Sequence, residues 1–373
     1  MENLVLYRKY RPQTFSDVAG QDHVTITIQN EIKSGHVAHA YLFSGPRGCG
    51  KTTTARIIAK AVNCLNRKEG SAEPCNKCSN CLEISSGRAI DLIEIDAASH
   101  RGIDDIRELR EGIKFAPTKL KYKVFIIDEC HQLSKDASNA LLKTLEEPPA
   151  HAIFILATTE LHKILATILS RCQRFDFRKL SLPELVARLQ KLADSEGIKI
   201  EKAALELVAL AGGGSVRDSE SLLGQALVYS STKQKIAIKA EDIRQILGIT
   251  ETESVRALVE LIANKNTGGG VDYLNQIVEK GYDVQEFGKN ILNYLRQALI
   301  LAIIGAKTAK NDNFMIAGLT DEEFETLRNQ TLAMGEPTIK KTIEIFLEAN
   351  DRIRYSPIPQ LPLELAIVDS CAA

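Results

Sequence analysis

The chain holds 373 residues, of which 44% are apolar and 25% charged, ordinary proportions for a globular protein. This length predicts two or three domains, and the composition excludes a disordered or collagen-like chain. Lysine and arginine total 47 against 48 acids, a net charge of −1, so any nucleic-acid contact must come from a local patch.

In chain order, apolar β-rich runs stand at Tyr41–Ser44, Leu92–Ile95, Val124–Ile127, Ile153–Ala157 and Arg174–Phe177. Segments with helical spacing lie between them: Thr52–Val62 places Ala55, Ile58, Ala59 and Val62 on one face. This alternation predicts an α/β domain over residues 1–178 with a mostly parallel, buried sheet. After about Lys179 the strand runs stop. Pro183–Glu196, Glu201–Ala211, Arg217–Val228 and Ala240–Leu247 read as short amphipathic helices, broken by Gly197 and Gly212–Gly214. A small helical domain is therefore expected over 179–247. From Gly248 to the end the pattern is helical, with a soft break at Asn264–Gly270 and punctuation by Pro337, Pro357, Pro359 and Pro362, giving an all-helical domain over 248–373. The longest strongly apolar stretch, Ala298–Ile304, falls far short of the ~20 residues of a membrane helix. Met1–Tyr10 has no apolar core of a secretory signal, so a cytoplasmic location is expected.

Gly45-Pro46-Arg47-Gly48-Cys49-Gly50-Lys51-Thr52 fits the phosphate-binding pattern G-x-x-x-x-G-K-[ST] in full, and Thr53 continues into the helix. Glycines let backbone N–H groups turn inward around phosphate oxygens, and the helix points its positive end at the same anion. Lys51 would reach the β- and γ-phosphates of ATP, and Thr52 would ligate Mg²⁺. The run Val124–Ile127 ends in Asp128 and Glu129, two acids at a strand's C-terminal tip, where α/β sheets bind ligands. Asp128 would hold Mg²⁺ and Glu129 would position and deprotonate an attacking water. Such a pair alone is commonly a solvated strand end; beside the phosphate loop it points to hydrolysis.

Of the eight cysteines, Cys64, Cys75, Cys78 and Cys81 are separated by ten, two and two residues. Four thiolates close a tetrahedral zinc site, leaving no open position, so the role would be structural. Asn66–Asn80 is polar and carries Gly70 and Pro74, so a metal would staple it. An iron–sulfur cluster and free or redox thiols are the competing readings. Cys49 inside the phosphate loop would make nucleotide turnover sensitive to thiol reagents. Ser99-His100-Arg101 opens a segment with Ser99 as a helix N-cap; its basic groups suit backbone phosphates, although Asp104, Asp105, Glu108 and Glu111 dilute the field. Ile113 and Phe115 form an apolar pair before Pro117, equally suited to a core or to a docking role. Lys119–Lys123 reads as a solvated basic loop.

Asp128-Glu129-Cys130-His131 sits like the "DExx" box of AAA+ ATPases, Ser170-Arg171-Cys172 is similar to the "SRC" motif of clamp-loader subunits, and Tyr10-Arg11-Pro12 resembles their adenine-side box. Leu141–Pro149 is very similar to a run in bacterial clamp-loader ATPases. With the cysteine cluster, the chain resembles the gamma/tau subunit family of the bacterial DNA polymerase III clamp loader, densely over 4–228 and weakly beyond 250. The resemblance implies an AAA+ domain, a helical lid and a helical collar. It implies that the cysteines at about 64–81 hold Zn²⁺, and that Arg11, Pro12, Val18 and Val216 line the adenine pocket. Arg217 would act as sensor 2 and Thr158 as sensor 1, where many AAA+ proteins carry Asn. Arg171 would be an arginine finger reaching a neighbour's ATP in trans. Ser99, His100 and Arg101 would face primer–template DNA, and Ile113 and Phe115 would dock on the sliding clamp. Implied partners are delta- and delta-prime-type subunits and further copies of the chain. Ser219 and Glu220 are polar where relatives tend to be apolar, which leaves the lid's packing open. Rival readings are a junction-migration or replication-restart motor, and a scaffold that binds ATP without hydrolysing it.

Overall fold

The computed structural model describes residues 5–99, 112–113, 115–232, 237–247, 252–304 and 321–372. Its backbone forms two compact units, Met1–Leu189 with Gly212–Leu222, and Gln190–Ala211 with Leu223–Ala373.

The first unit begins with α1 (Leu6–Lys9) and α2 (Asp22–Ser34), followed by β1 (Ala40–Ser44), α3 (Lys51–Asn63), α4 (Ser79–Ser85), β2 (Leu92–Asp96) and β3 (Lys123–Asp128). Then come α5 (Lys135–Glu146), β4 (Ala152–Thr158), α6 (Ala166–Leu169), β5 (Gln173–Asp176) and the start of α7 (Leu182–Ser195). All five strands are parallel, in the order β2-β3-β4-β1-β5. The three central strands are buried on both faces, which is why their sequences read as unbroken apolar runs rather than alternating ones. On one face Phe43, Ile126 and Ile155 pack with Ile28, Ile57 and Ile58; on the other Phe125, Phe154 and Leu42 pack with Leu141 and Leu145. Phe125 and Phe154 stack with centroids 5.2 Å apart. Each expected strand is present to within one residue at each end.

In the second unit α8 (Lys202–Ala211) packs on α10 (Ala240–Leu247). A strand pair was not expected here, yet β6 (Lys199–Ile200) and β7 (Ala237–Ile238) lie parallel. Two residues are too few for any periodic signal. The C-terminal helices are α11 (Thr252–Ala263), α12 (Thr267–Glu279), α13 (Val284–Ile304), α14 (Asp321–Ile353) and α15 (Leu361–Ala372). They share a core that includes Leu258, Phe287, Ile291, Leu295, Leu327, Phe346 and Leu363. Gly335, at φ 73° and ψ 156°, interrupts α14 two residues before Pro337, whose ring cannot follow a helical turn. Buried Arg244 and Glu323 pair at 2.7 Å. Among the described residues no helix is long and apolar enough to cross a membrane.

Candidate nucleotide site and metal centre

The tips of β3, β4 and β1 lie side by side, so the phosphate loop after β1, Thr158 ending β4 and the acids ending β3 converge on one end of the sheet. Ser44 is in register with Thr158, and the Gly45 amide donates to the Thr158 carbonyl at 3.2 Å. Two glycines of the loop are required by geometry. A Cβ on Gly45 would stand 2.3 Å from the Phe177 carbonyl oxygen, and one on Gly48 would stand 2.0 Å from Ser215 Oγ. Lys51 opens α3 and is buried, its ammonium donating to the Gly45 and Pro46 carbonyls at 2.6 and 2.8 Å. Thr52 Oγ1 donates to Asp128 Oδ2 at 2.6 Å, joining the two halves of the site that the sequence suggested. Such a hydroxyl–carboxylate pair is the oxygen-donor set a hard divalent cation takes.

Glu129 sits in the left-handed region at φ 47°. Its carboxylate accepts from the Thr159 amide at 3.2 Å and from Thr159 Oγ1 at 2.8 Å. The His131 side chain is buried between Thr158 Oγ1 (3.0 Å), Glu129 Oε2 (3.4 Å) and Glu160 Oε1 (3.5 Å). Thr158 itself is fully buried. The sequence reading placed Glu129 and Thr158 but gave no role to His131 or Thr159. The His was already visible within Asp128–His131, three residues after the aspartate.

The other wall comes from the chain's N-terminal segment and from the start of α9 (Val216–Thr232). The Val216 amide donates to the Gly48 carbonyl at 3.1 Å. Val18 Cγ1 lies 3.9 Å from the place a Cβ on Gly50 would occupy. Gln21 donates to the carbonyls of Cys49 (3.4 Å) and Arg178 (2.8 Å). The Arg217 guanidinium lies 4.9 Å from the centre of the Tyr7 ring and, with Arg8, holds the Tyr7 phenol below its usual range. Burial first, and then the Arg56 charge, push Arg11 down; Arg217 and Arg8 act in the same direction. Four arginines thus share one field, partly offset by the Arg56–Glu94 pair, a potential that favours a polyanion. Ser219 and Glu220 are both buried and satisfied: Ser219 Oγ donates to the Ser215 carbonyl, and Glu220 accepts from Arg188 Nε at 2.9 Å. Arg188 also donates to the Tyr10 carbonyl at 2.7 Å. Their polarity is therefore paired inside the fold.

Cys49 is buried, its thiol donates to the Pro46 carbonyl, and burial raises its pKa, so it is a poor nucleophile and the expected thiol sensitivity is not supported. Ile113 is 2% exposed and belongs to the core with Phe125 and Ile127, whereas Phe115 is 70% exposed; the two do not form one apolar surface. Ser99 is exposed, its amide on the Asp96 carbonyl, while His100 and Arg101 lie outside the described residues. Arg171 follows α6, donating to the Thr167 carbonyl at 2.7 Å and to Glu146 Oε1 at 2.7 Å, with about a third of its side chain open to solvent.

The four cysteines Cys64, Cys75, Cys78 and Cys81 bring their sulfurs within 4.8 Å of one another. Cys75 and Cys81 Sγ are 4.0 Å apart, close to the ~3.8 Å edge of a tetrahedron with Zn–S bonds of about 2.3 Å. The Lys77 amide, joined by that of Cys78, pulls the Cys75 thiol down to about 6, whereas burial pushes Cys64 and Cys81 up. A dication would relieve the cost of gathering four thiolates, so the donor set fits zinc. Cys64 directly follows α3, and Cys81 lies inside α4, so the cluster closes the end of the phosphate-loop helix.

A phosphate loop separated by one strand from its acidic partner, with a helix start laid over the loop, is the arrangement of a P-loop nucleotide-binding protein. Three family models match: DNA polymerase III, delta subunit, over residues 20–181; the DNA polymerase III clamp loader subunit ATPase lid domain over 184–232; and DNA polymerase III subunits gamma and tau domain III over 238–373. DNA polymerase III subunit tau of Bacillus subtilis is 42% identical over 100% of this chain and 64% of its own length. The tau subunit of Escherichia coli is 37% identical over 100% of this chain and 56% of its own. The gamma subunit of Buchnera aphidicola is 41% identical over 95% of this chain and 98% of its own. Among solved structures, the Thermotoga maritima RuvB Holliday junction branch migration motor aligns over 68% of this chain and 79% of its own at 20% identity and a TM-score of 0.49. The chain belongs to the gamma/tau subunit family of DNA polymerase III. It spans less than two thirds of the length of the tau relatives named here.

Proposed function

We propose that this chain is an ATP-hydrolysing motor subunit of a DNA polymerase III clamp loader, working in the cytoplasm, and that it loads a sliding clamp onto primed DNA. The observation that carries this reading is the Thr52–Asp128 hydrogen bond, which unites the phosphate loop with an acidic strand tip in a chain of the gamma/tau family. Residues 1–178 would be the motor, 179–247 the lid and 248–373 the collar that joins subunits.

The loop amides of Gly45–Thr53 would cradle the ATP phosphates, with Arg11, Pro12, Val18 and Val216 around the base. Thr52 and Asp128 would hold Mg²⁺, which when bound neutralises charge on the phosphates. Lys51 would exchange its bonds to the Gly45 and Pro46 carbonyls for bonds to phosphate oxygens. Glu129 would turn from Thr159 to take a proton from the attacking water. As the water oxygen bonds to the γ-phosphorus, the bond to the β–γ bridging oxygen breaks and ADP leaves with that electron pair. Thr158 and Arg217 would contact the γ-phosphate from the same chain, and the Arg171 of a neighbouring copy would complete the site. Ser99, His100 and Arg101 would lie toward duplex phosphates, and Phe115 toward the clamp. Delta- and delta-prime-type subunits would complete the assembly.

The test is an ATPase assay of the full chain mixed with delta- and delta-prime-type subunits, clamp and primed DNA. Stimulation by clamp and DNA, abolished in Lys51→Ala, is expected. Turnover indifferent to clamp and DNA would refute clamp loading, and nucleotide binding without turnover would favour a scaffold.

A further inference from the structure

The metal cluster and the nucleotide site share a wall. Lys60, on α3, is 2% exposed, and its ammonium has three acceptors: the Gln13 carbonyl (2.8 Å), Gln13 Oε1 (2.8 Å) and Asn76 Oδ1 (2.7 Å). Asn76 lies between Cys75 and Cys78 in the left-handed region, at φ 57°, so the sulfur cluster sets where its amide points. Glu73, two residues before Cys75, reaches the same N-terminal segment. Its oxygens accept from the Phe15 amide at 2.8 Å, the Ser16 amide at 3.0 Å and Gln29 Nε2 at 2.9 Å. Ser85, on α4, adds a bond to Gln13 Oε1 at 3.3 Å.

Residues 13–16 are thus anchored at their backbone by side chains fixed in or beside the cysteine module. They lie between Arg11-Pro12 and Val18, and Val18 stands against Gly50 of the phosphate loop. Within polar Asn66–Asn80, Ala72 joins the hydrophobic core and Pro74, Cys78 and Asn80 are also buried, while the remaining residues are half-buried or exposed. The segment's shape therefore depends on what gathers the four sulfurs.

We infer that Lys60 and Glu73 are positioning residues that make the cysteine–metal module a splint for the base side of the nucleotide pocket, so that metal occupancy raises affinity for the nucleoside end of ATP. The inference rests on the nucleotide-binding reading above. It assigns the module no part in the phosphate cradle, which β1 and α3 build without it.

That separation supplies the experiment. The full chain, loaded with zinc, is titrated with Mg·ADP and separately with inorganic tripolyphosphate, which engages only the cradle. The titrations are repeated after chelation of the metal, and in zinc-loaded Glu73→Gln and Lys60→Met. Amide exchange of residues 13–18 is followed in parallel. ADP affinity is expected to fall about tenfold, the scale of one charge-assisted hydrogen bond, with tripolyphosphate affinity unchanged and exchange at 13–18 faster. Unchanged ADP affinity after chelation and in both variants would overturn the inference. So would equal weakening of both ligands, since a general loss of fold affects cradle and base side alike. A zinc-loaded unaltered chain that binds neither ligand would instead overturn the nucleotide-binding reading itself, and the inference with it.

Discussion

At the scale of single residues, the buried Arg188–Glu220 pair shows how a carboxylate is accommodated inside the start of α9. Glu220 is buried, and burial raises its pKa even with Arg188 beside it. Removing the arginine leaves that acid buried without its cation and takes away the bond to the Tyr10 carbonyl, so Arg188→Met should cost about 3 kcal/mol in chemical denaturation. Glu220→Gln keeps an acceptor for Arg188 Nε and should cost about 1 kcal/mol or less. The pH dependence has a definite sign. A carboxyl whose folded pKa lies above its unfolded one contributes stability fully below the unfolded value and loses it as pH rises through the folded value. Hence the stability of the unaltered chain relative to Glu220→Gln should decline as pH rises above the ordinary glutamate range, as read from paired melts. A widening advantage with rising pH would show that Arg188 outweighs burial.

At the scale of elements, the phosphate loop is held between strand, helix and the start of α9, which makes Gly48 the sharpest local test. An alanine there meets Ser215 Oγ at 2.0 Å and must also hold φ at +77°. Gly48→Ala should lose about 1–3 kcal/mol and most nucleotide affinity, measured by melting and by ADP titration. Adding Ser215→Gly removes the clash but not the backbone strain, so recovery should be partial. This loop was legible in the sequence because its chemistry is local: glycines, lysine and threonine act within eight residues. The central strands were legible too, since burial on both faces demands continuous apolar runs. What the sequence hid was long-range or short in extent. The β6–β7 pair is two residues a strand. The bonds from Lys60 and Glu73 to Gln13, Phe15 and Ser16 join residues 47 to 58 positions apart, and nothing in a polar insert announces a partner. Ile113 and Phe115 read as a pair, yet Ile113 is core and Phe115 is exposed, a difference that apolar character alone does not encode.

At the scale of the whole molecule, the question is whether one chain contains a full set of catalytic groups. Lys51, Thr52, Asp128, Glu129 and Thr158 gather at one end of the sheet, whereas Arg171 donates to Thr167 on α6 and to Glu146 at the end of α5. If Arg171 serves a neighbour, every working site takes Lys51 from one copy and Arg171 from another, a heterologous contact that a two-fold dimer cannot satisfy. Chains carrying Lys51→Ala and chains carrying Arg171→Ala should each be inactive when they supply all the motor positions of an assembly. Mixed one to one, they should regain activity. A site works when its owner is the Arg171→Ala chain and its neighbour the Lys51→Ala chain, which holds at about a quarter of randomly formed interfaces. Activity of the mixture near that fraction of the unaltered assembly, rising as the Lys51→Ala and Arg171→Ala chains are brought to equal amounts, is the expected result in a steady-state ATPase titration. No recovery at any ratio would place Arg171 in the site of its own chain. The Glu146 contact would then have to break within one subunit, and hydrolysis would not require assembly.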